Sequence, residues 1–136
     1  MVTASLMLLV ALSAQPTKTT PAEIITVCYF NDAKVDATLL NHAVDVTSKV
    51  TSIVRDGIGG YIVKLDARLQ TTEFDARASV DCHFDSASIE VLSRIRPGRE
   101  VTIRGVVRKI ADDTNRYVDA NVQVTVKGCQ LVGGGE

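Results

Sequence analysis

Five stretches of this sequence alternate apolar and polar residues with a period of two, and that alternation limits the fold more than any other feature. Successive side chains of a strand point to opposite faces, so each stretch describes a strand buried on one side. Val44, Val46 and Val50 alternate with Asp45, Thr47, Lys49 and Thr51, and Tyr61, Val63 and Leu65 with Ile62, Lys64 and Asp66. Ala78, Val80, Cys82 and Phe84 alternate with Arg77, Ser79, Asp81 and His83. Val101, Ile103 and Val107 alternate with Thr102, Arg104 and Arg108, and the last stretch sets Val118, Ala120, Val122, Val124 and Val126 on one face. Aromatic residues make up only 4% of the chain and there is no Trp, so branched aliphatics must fill the core, which favours strands.

The residues between these stretches place the connections. Asp56-Gly57 and Gly59-Gly60 form a turn between the first two strands, where backbone φ can be positive. Leu69 to Asp75 is polar and reads as a loop, as does Asp112 to Asn115. After the third strand, Ile89, Leu92, Ser93 and Ile95 fall at helical spacing between a cap at Asp85-Ser86 and a stop at Pro97-Gly98. Gly105, inside the fourth strand, marks a bulge or a sharp bend. Ahead of the strands, Thr20 can cap a helix, Pro21 suits its first position and Glu23 can reach back to the cap. That helix is expected to run to about Leu40, with Ile24, Val27, Cys28, Ala33, Val35 and Leu39 as its apolar stripe.

Three strands, a connecting helix and two strands is the order of a five-stranded OB-fold barrel, here with an added N-terminal helix. An immunoglobulin-like sandwich needs about seven strands with no helix in this place, and a ferredoxin-like fold needs a βαββαβ order. The expected class is therefore mainly β, with 136 residues suiting one core. Its expected limits are residues 21–132, after a linker at 15–20 and before a flexible tail at 133–136.

Met1 to Ala14 (MVTASLMLLVALSA) has the apolar run and small residues of a secretory signal, and the run is too short to span a bilayer. No Lys or Arg precedes it, and no Cys follows at a lipoprotein-like position. Read as a signal, residues 1–14 send the chain to the periplasm or outside the cell. The alternative, a buried N-terminal strand or helix, leaves it in the cytoplasm.

With the segments placed, the chain resembles the tRNA-anti-like family of bacterial OB-fold domains, often exported or lipoprotein modules. The resemblance runs from about Tyr29 to Leu131, through YFNDAKVDATLL, VDVTSKVTSIVRD, GGYIVKLDA, VDCHF, PGREVTIRGVVRK and a final GCQLV. The segment Pro97-Gly98 to Gly105 is the most specific, joining a helix stop, an alternating strand and a bending glycine. The resemblance implies the OB fold and, by analogy with other OB domains, a nucleic-acid or other ligand role. It carries over no catalytic residues.

The residues themselves point away from catalysis. The two histidines, His42 and His83, and the three cysteines show no CxxC, HExxH or paired-ligand spacing, so neither a metal site nor a cofactor is implied. Asp81 and His83 share a strand face and read as solvated polar groups, while the adjacent Cys82 points the other way. Cys82 and Cys129 lie near the ends of the third and fifth strands, which run side by side and parallel in an OB barrel. An oxidising compartment would let them bridge, for about 4 kcal/mol in the chain-entropy model. Cys129 has the opposite parity to Val122, Val124 and Val126, so a bulge at Gly128 is needed to turn it inward; the alternative is two buried thiols. Cys28 is then the odd thiol, read as a small core residue.

Lys64, Arg77, Arg104, Arg108, Arg116 and Tyr117 form the candidate ligand face. A net charge of -1, acidic loops at Asp56, Asp112 and Asp113, and few free rings argue against phosphate binding. The expected function is a non-enzymatic, exported binding module for a protein, glycan or small molecule, with single-stranded nucleic acid the alternative.

Overall fold

The alternating stretches fold as strands of one sheet. The computed structural model describes residues 15–70, 75–112 and 119–135. In chain order they form β1 (Thr17–Thr19), α1 (Pro21–Phe30), α2 (Asp32–Thr38), β2 (Ala43–Lys49), β3 (Ser52–Arg55) and β4 (Tyr61–Gln70). Next come β5 (Asp75–Phe84), a 3-10 turn (Ser86–Ser88), α3 (Ile89–Ser93), β6 (Glu100–Asp112) and β7 (Asp119–Gly134). The expected signal at residues 1–14 lies outside the described residues, and no described helix is long and apolar enough to cross a membrane.

The strand count differs from the five expected: the sheet has seven strands in the order β1-β2-β6-β7-β5-β4-β3. Two local events account for the difference. Thr17–Thr19, expected as linker, adds an edge strand parallel to β2, and the first alternating stretch breaks into β2 and β3 at Val50 and Thr51. The break is a change of partner. Val50 N donates to Arg99 O at 3.0 Å, just before β6, whereas Thr51 N donates to Lys64 O of β4 at 2.9 Å. β2 thus pairs with β6 and β3 with β4, both antiparallel.

That change of partner bends the sheet round on itself. In a flat sheet β2 and β3 would lie about 24 Å apart, five strand spacings. The chain from Lys49 to Ser52 can reach about 11 Å. The sheet therefore curls into a barrel-like form whose interior collects the inward parities, among them Val46, Val63, Leu65, Val80, Ile103 and Val124. β5 and β7 run parallel, as the third and fifth strands were expected to.

The glycine in β6 sits where a bulge is required. Arg104 pairs with Gln130 and Val106 with Lys127, so Gly105 faces the extra residues Gly128 and Cys129. Gly128 takes φ 63°, and a Cβ on Gly105 would come within 2.6 Å of Val126 Cγ1 and 2.9 Å of Cys129 Sγ. Gly128 thereby turns Cys129 into the core, against the parity of the preceding strand.

The N-terminal helix differs from expectation in being two. Thr20 caps α1 as foreseen, its Oγ1 accepting from Glu23 N at 3.2 Å. At Asn31 the backbone turns to φ -155°, and the Asn31 side chain accepts from Lys34 N at 3.1 Å to start α2. Ile24, Ile25 and Cys28 of α1 are buried, and α1 packs against β2, β4, β5 and β7. Ala33 is exposed, so it drops out of the expected stripe. Two further differences lie at strand ends. β4 extends to Gln70 and β5 starts at Asp75, shortening the expected Leu69–Asp75 loop. The expected tail is strand to Gly134, and Gly135 N donates to Glu100 O at 3.0 Å.

Candidate functional site

Alternation sends one set of side chains from β4, β5 and β7 to the outside of the barrel. Lys64 and Arg68 on β4, Arg77, Ser79, Asp81 and His83 on β5, and Gln123 and Lys127 on β7 share this surface. The strand register sets Lys64 opposite Asp81 and Arg68 opposite Arg77. Two directly opposed arginines would repel, and Asp75 resolves the conflict. Its carboxylate accepts from Arg68 Nε and Nη2 at 2.9 Å each and lies 3.7 Å from Arg77 Nη2. The hydrogen bonds from Arg68 hold the Asp75 carboxyl below its usual range. Between these strands lies a shallow groove of about 570 Å³ bordered by Asp66, Arg68, Arg77 and Ser79.

Asp81 differs from the solvated group expected. It is 8% exposed, and its carboxylate accepts from Ser79 Oγ at 3.2 Å and Gln123 Nε2 at 3.3 Å, with Lys64 Nζ 4.0 Å away. The face is thus polar and largely neutralised by its own ion pairs. At its upper end Lys127 Nζ lies 3.3 Å from His83 Nδ1. An ammonium can only donate, so Nδ1 accepts and the ring proton sits on Nε2. Burial first, and Lys127 second, lower the His83 pKa from its ordinary value of 6.5. Its contribution to stability is therefore complete above 6.5 and is lost as the pH falls from there through the depressed value. Titration of His83 by NMR is expected to give a midpoint below 6.5, which Lys127→Met moves back up; an unchanged midpoint would remove the Lys127 contribution.

The four described candidate residues do not form one face. Lys64 and Arg77 stand together, but Arg104 and Arg108 lie on β6, beyond β7. Arg104 donates from Nε and Nη2 to Asp45 of β2 at 2.9 and 3.1 Å, so its guanidinium is engaged by the neighbouring strand. Arg108 is the extra residue of a register shift and its Nη1 lies 3.4 Å from Asn41 Oδ1. Arg116 and Tyr117 fall outside the described residues, as do Phe74 and Asp113. Asp56 is engaged by its own turn, accepting from Ile58 N at 2.8 Å and Gly60 N at 2.9 Å. Those two bonds lower its pKa, so it keeps a negative charge at this end of the barrel.

Arg68, Asp75 and Lys127 belong to the face but were not singled out in the sequence. Arg68 has the same parity as Lys64, a signal that a longer second strand would have revealed. The rings expected in the core are there: Phe84 is buried and Tyr61 packs against it from a half-buried position. All three cysteines are buried thiols, with Cys82 within hydrogen-bonding reach of Cys129. Burial pushes the Cys28 thiol up to about 11. Among the described residues no three His, Cys, Asp or Glu side chains converge to hold a metal ion.

No protein-family model and no curated protein matches the chain. Among solved structures it is similar to a protein assigned as an aspartyl-tRNA synthetase from Leishmania major Friedlin, at 14% identity and a TM-score of 0.41. The match covers 87% of this chain and 21% of that one, and at that score it carries no functional argument.

Proposed function

We propose that the chain is a non-enzymatic OB-type binding module whose outer β4–β5–β7 face takes a polar ligand, on a protein, a glycan or a small molecule, outside the cytoplasm. The observation that carries the fold part of this reading is the change of partner at Val50 and Thr51. With β2 and β3 counted as one bent strand, the ring runs first, second, third, fifth, fourth and back to first. That is the closed order of an OB barrel, in which ligands use the second and third strands, here β4 and β5. The tRNA-anti-like resemblance draws on the same segments. Export rests on the pattern of residues 1–14.

Self-neutralisation supports a ligand other than nucleic acid. Arg68, Arg77 and Lys64 already face Asp75 and Asp81, and no described aromatic ring lies on this face to stack a base. Titration with labelled single-stranded DNA and RNA is expected to show no saturable binding at low salt. Tight binding that weakens steeply with salt would reverse the reading in favour of a nucleic-acid module.

A further inference from the structure

β3 ends the sheet, paired with β4 on one side only. Asp56 N donates to Gly60 O, and the antiparallel alternation then points the amides of Ile53 and Arg55 away from β4. A groove of about 310 Å³ follows this open edge, with Ile53, Val54, Arg55 and Tyr61 on one side and Ile89 and Leu92 of α3 opposite. Ile53, Val54 and Arg55 are consecutive and of alternating parity, so the groove follows the strand edge, and through Tyr61 opposite Arg55 it also reaches the adjoining face of β4. Two further hollows adjoin it, one sharing Arg55 and Tyr61 at the Gly57–Gly60 turn and one sharing Ser93 beside Arg94 and Arg96.

The groove is apolar in the middle and has arginines toward both ends, Arg55 beside Asp56 at one and Arg94 with Arg96 at the other. Val54 and Ile89 within it, at 40% and 53% exposure, and Ile58 in the adjoining turn, at 90%, are three of the six large apolar side chains the described residues leave exposed. Arg55, Arg94 and Arg96 have no carboxylate within ion-pairing distance among the described residues. Asp56, turned onto the amides of Ile58 and Gly60, keeps its charge, so three arginines stand against one carboxylate and a cationic surplus remains. An unpaired edge beside an apolar trough is the geometry of strand addition. Charge decides the occupant. A second copy paired edge to edge would bring the two sets of arginines together, whereas acidic flanks on a partner would complement them.

We propose that the β3 edge takes, as an added strand, an extended segment of a partner protein that is apolar at alternate positions and acidic at its flanks. The inference rests on the chain being a binding module but not on the β4–β5–β7 face, so nucleic-acid binding on that face would overturn the earlier reading alone. The test uses the whole chain and the synthetic peptide Ac-EEVTVTVEE-amide, with a lysine-flanked Ac-KKVTVTVKK-amide and a proline-interrupted Ac-EEVTPTVEE-amide as comparators. The glutamate-flanked peptide is expected to bind saturably and to slow amide exchange at Ile53 and Arg55. The lysine-flanked peptide is expected to bind about tenfold more weakly. The proline peptide, lacking a ladder donor, is expected to lose binding. Val54→Glu and Ile89→Glu, both at exposed positions, are each expected to weaken the first peptide by about tenfold with the fold retained by circular dichroism. No binding, binding that leaves the Ile53 and Arg55 amides unprotected, equal affinity for the lysine-flanked peptide, or self-association that Val54→Glu abolishes would overturn the proposal.

Discussion

Refolded with a small-molecule disulfide as oxidant, the chain is expected to form a Cys82–Cys129 bridge and gain about 4 kcal/mol over its reduced form. The register brings Cys82 beside Val126, and the Gly128 bulge turns Cys129 into the same interior, so the two thiols meet between parallel β5 and β7. Oxidation removes two protons and two electrons from the thiols and reduces the added disulfide to two thiols. The contact with Cys129, and then burial, hold the Cys82 thiol well above its ordinary pKa, so the thiolate that attacks is scarce once the barrel has closed. The bridge should therefore form while the chain folds, and folded reduced protein should oxidise slowly. Alkylation after unfolding without reductant is expected to label Cys28 alone in the oxidised form and all three cysteines in the reduced form. Three labelled cysteines after oxidative refolding would rule the bridge out, and coincident denaturant midpoints would rule out its stabilising effect.

Gly134→Ala is expected to cost about 3 kcal/mol, combining left-handed strain with overpacking. Gly134 takes φ 78°, and an added Cβ would fall on Glu100 O and within 3.0 Å of Val101 Cα, both backbone atoms that cannot turn aside. The neighbouring bond from Gly135 N to Glu100 O and that from Arg96 N to Gly135 O, at 3.0 and 3.2 Å, pin the same corner. Gly133→Ala is the control, since nothing lies within 4 Å of its Cβ, and it should change stability by no more than about 0.5 kcal/mol. Equal denaturant midpoints for the two variants would contradict the role given to Gly134.

The period-two pattern made the barrel interior legible, because a one-residue error in parity would have put every valine on the wrong face. Gly105 and the need for a bulge at Gly128 were legible for the same reason: both interrupt a pattern that is otherwise regular. The edge strand at Thr17–Thr19 was not, since three polar residues held by pairing along β2 leave no local signal. The helix break at Asn31 could have been read, since Asn is a good N-cap, but a nearly continuous run of helix-compatible residues masked it. The tail illustrates the converse. Three glycines indicate flexibility by composition, yet two of them, Gly134 and Gly135, allow close approach to the start of β6.

The candidate face was half legible. Lys64 and Arg77 follow from outward parity, whereas Arg68 lies past the expected second strand and Asp75 in the expected loop, because the outer parts of β4 and β5 are polar. The burial of Asp81 depends on Gln123 from β7, a contact between strands far apart in the sequence. Charge and outward parity on the fourth strand group Arg104 with this face; the strand order places it beside β2, where Asp45 engages it.

The measurement that reaches the binding face most directly compares the wild type with an Asp75→Asn, Asp81→Asn double variant, each titrated with labelled single-stranded DNA across a series of salt concentrations. If Asp75 and Asp81 neutralise the face, the wild type shows no saturable binding. The folded variant, with Arg68, Arg77 and Lys64 released, gains binding with a log–log salt slope of about -2. Tight, steeply salt-dependent binding by the wild type, or a folded variant that gains none, would contradict it.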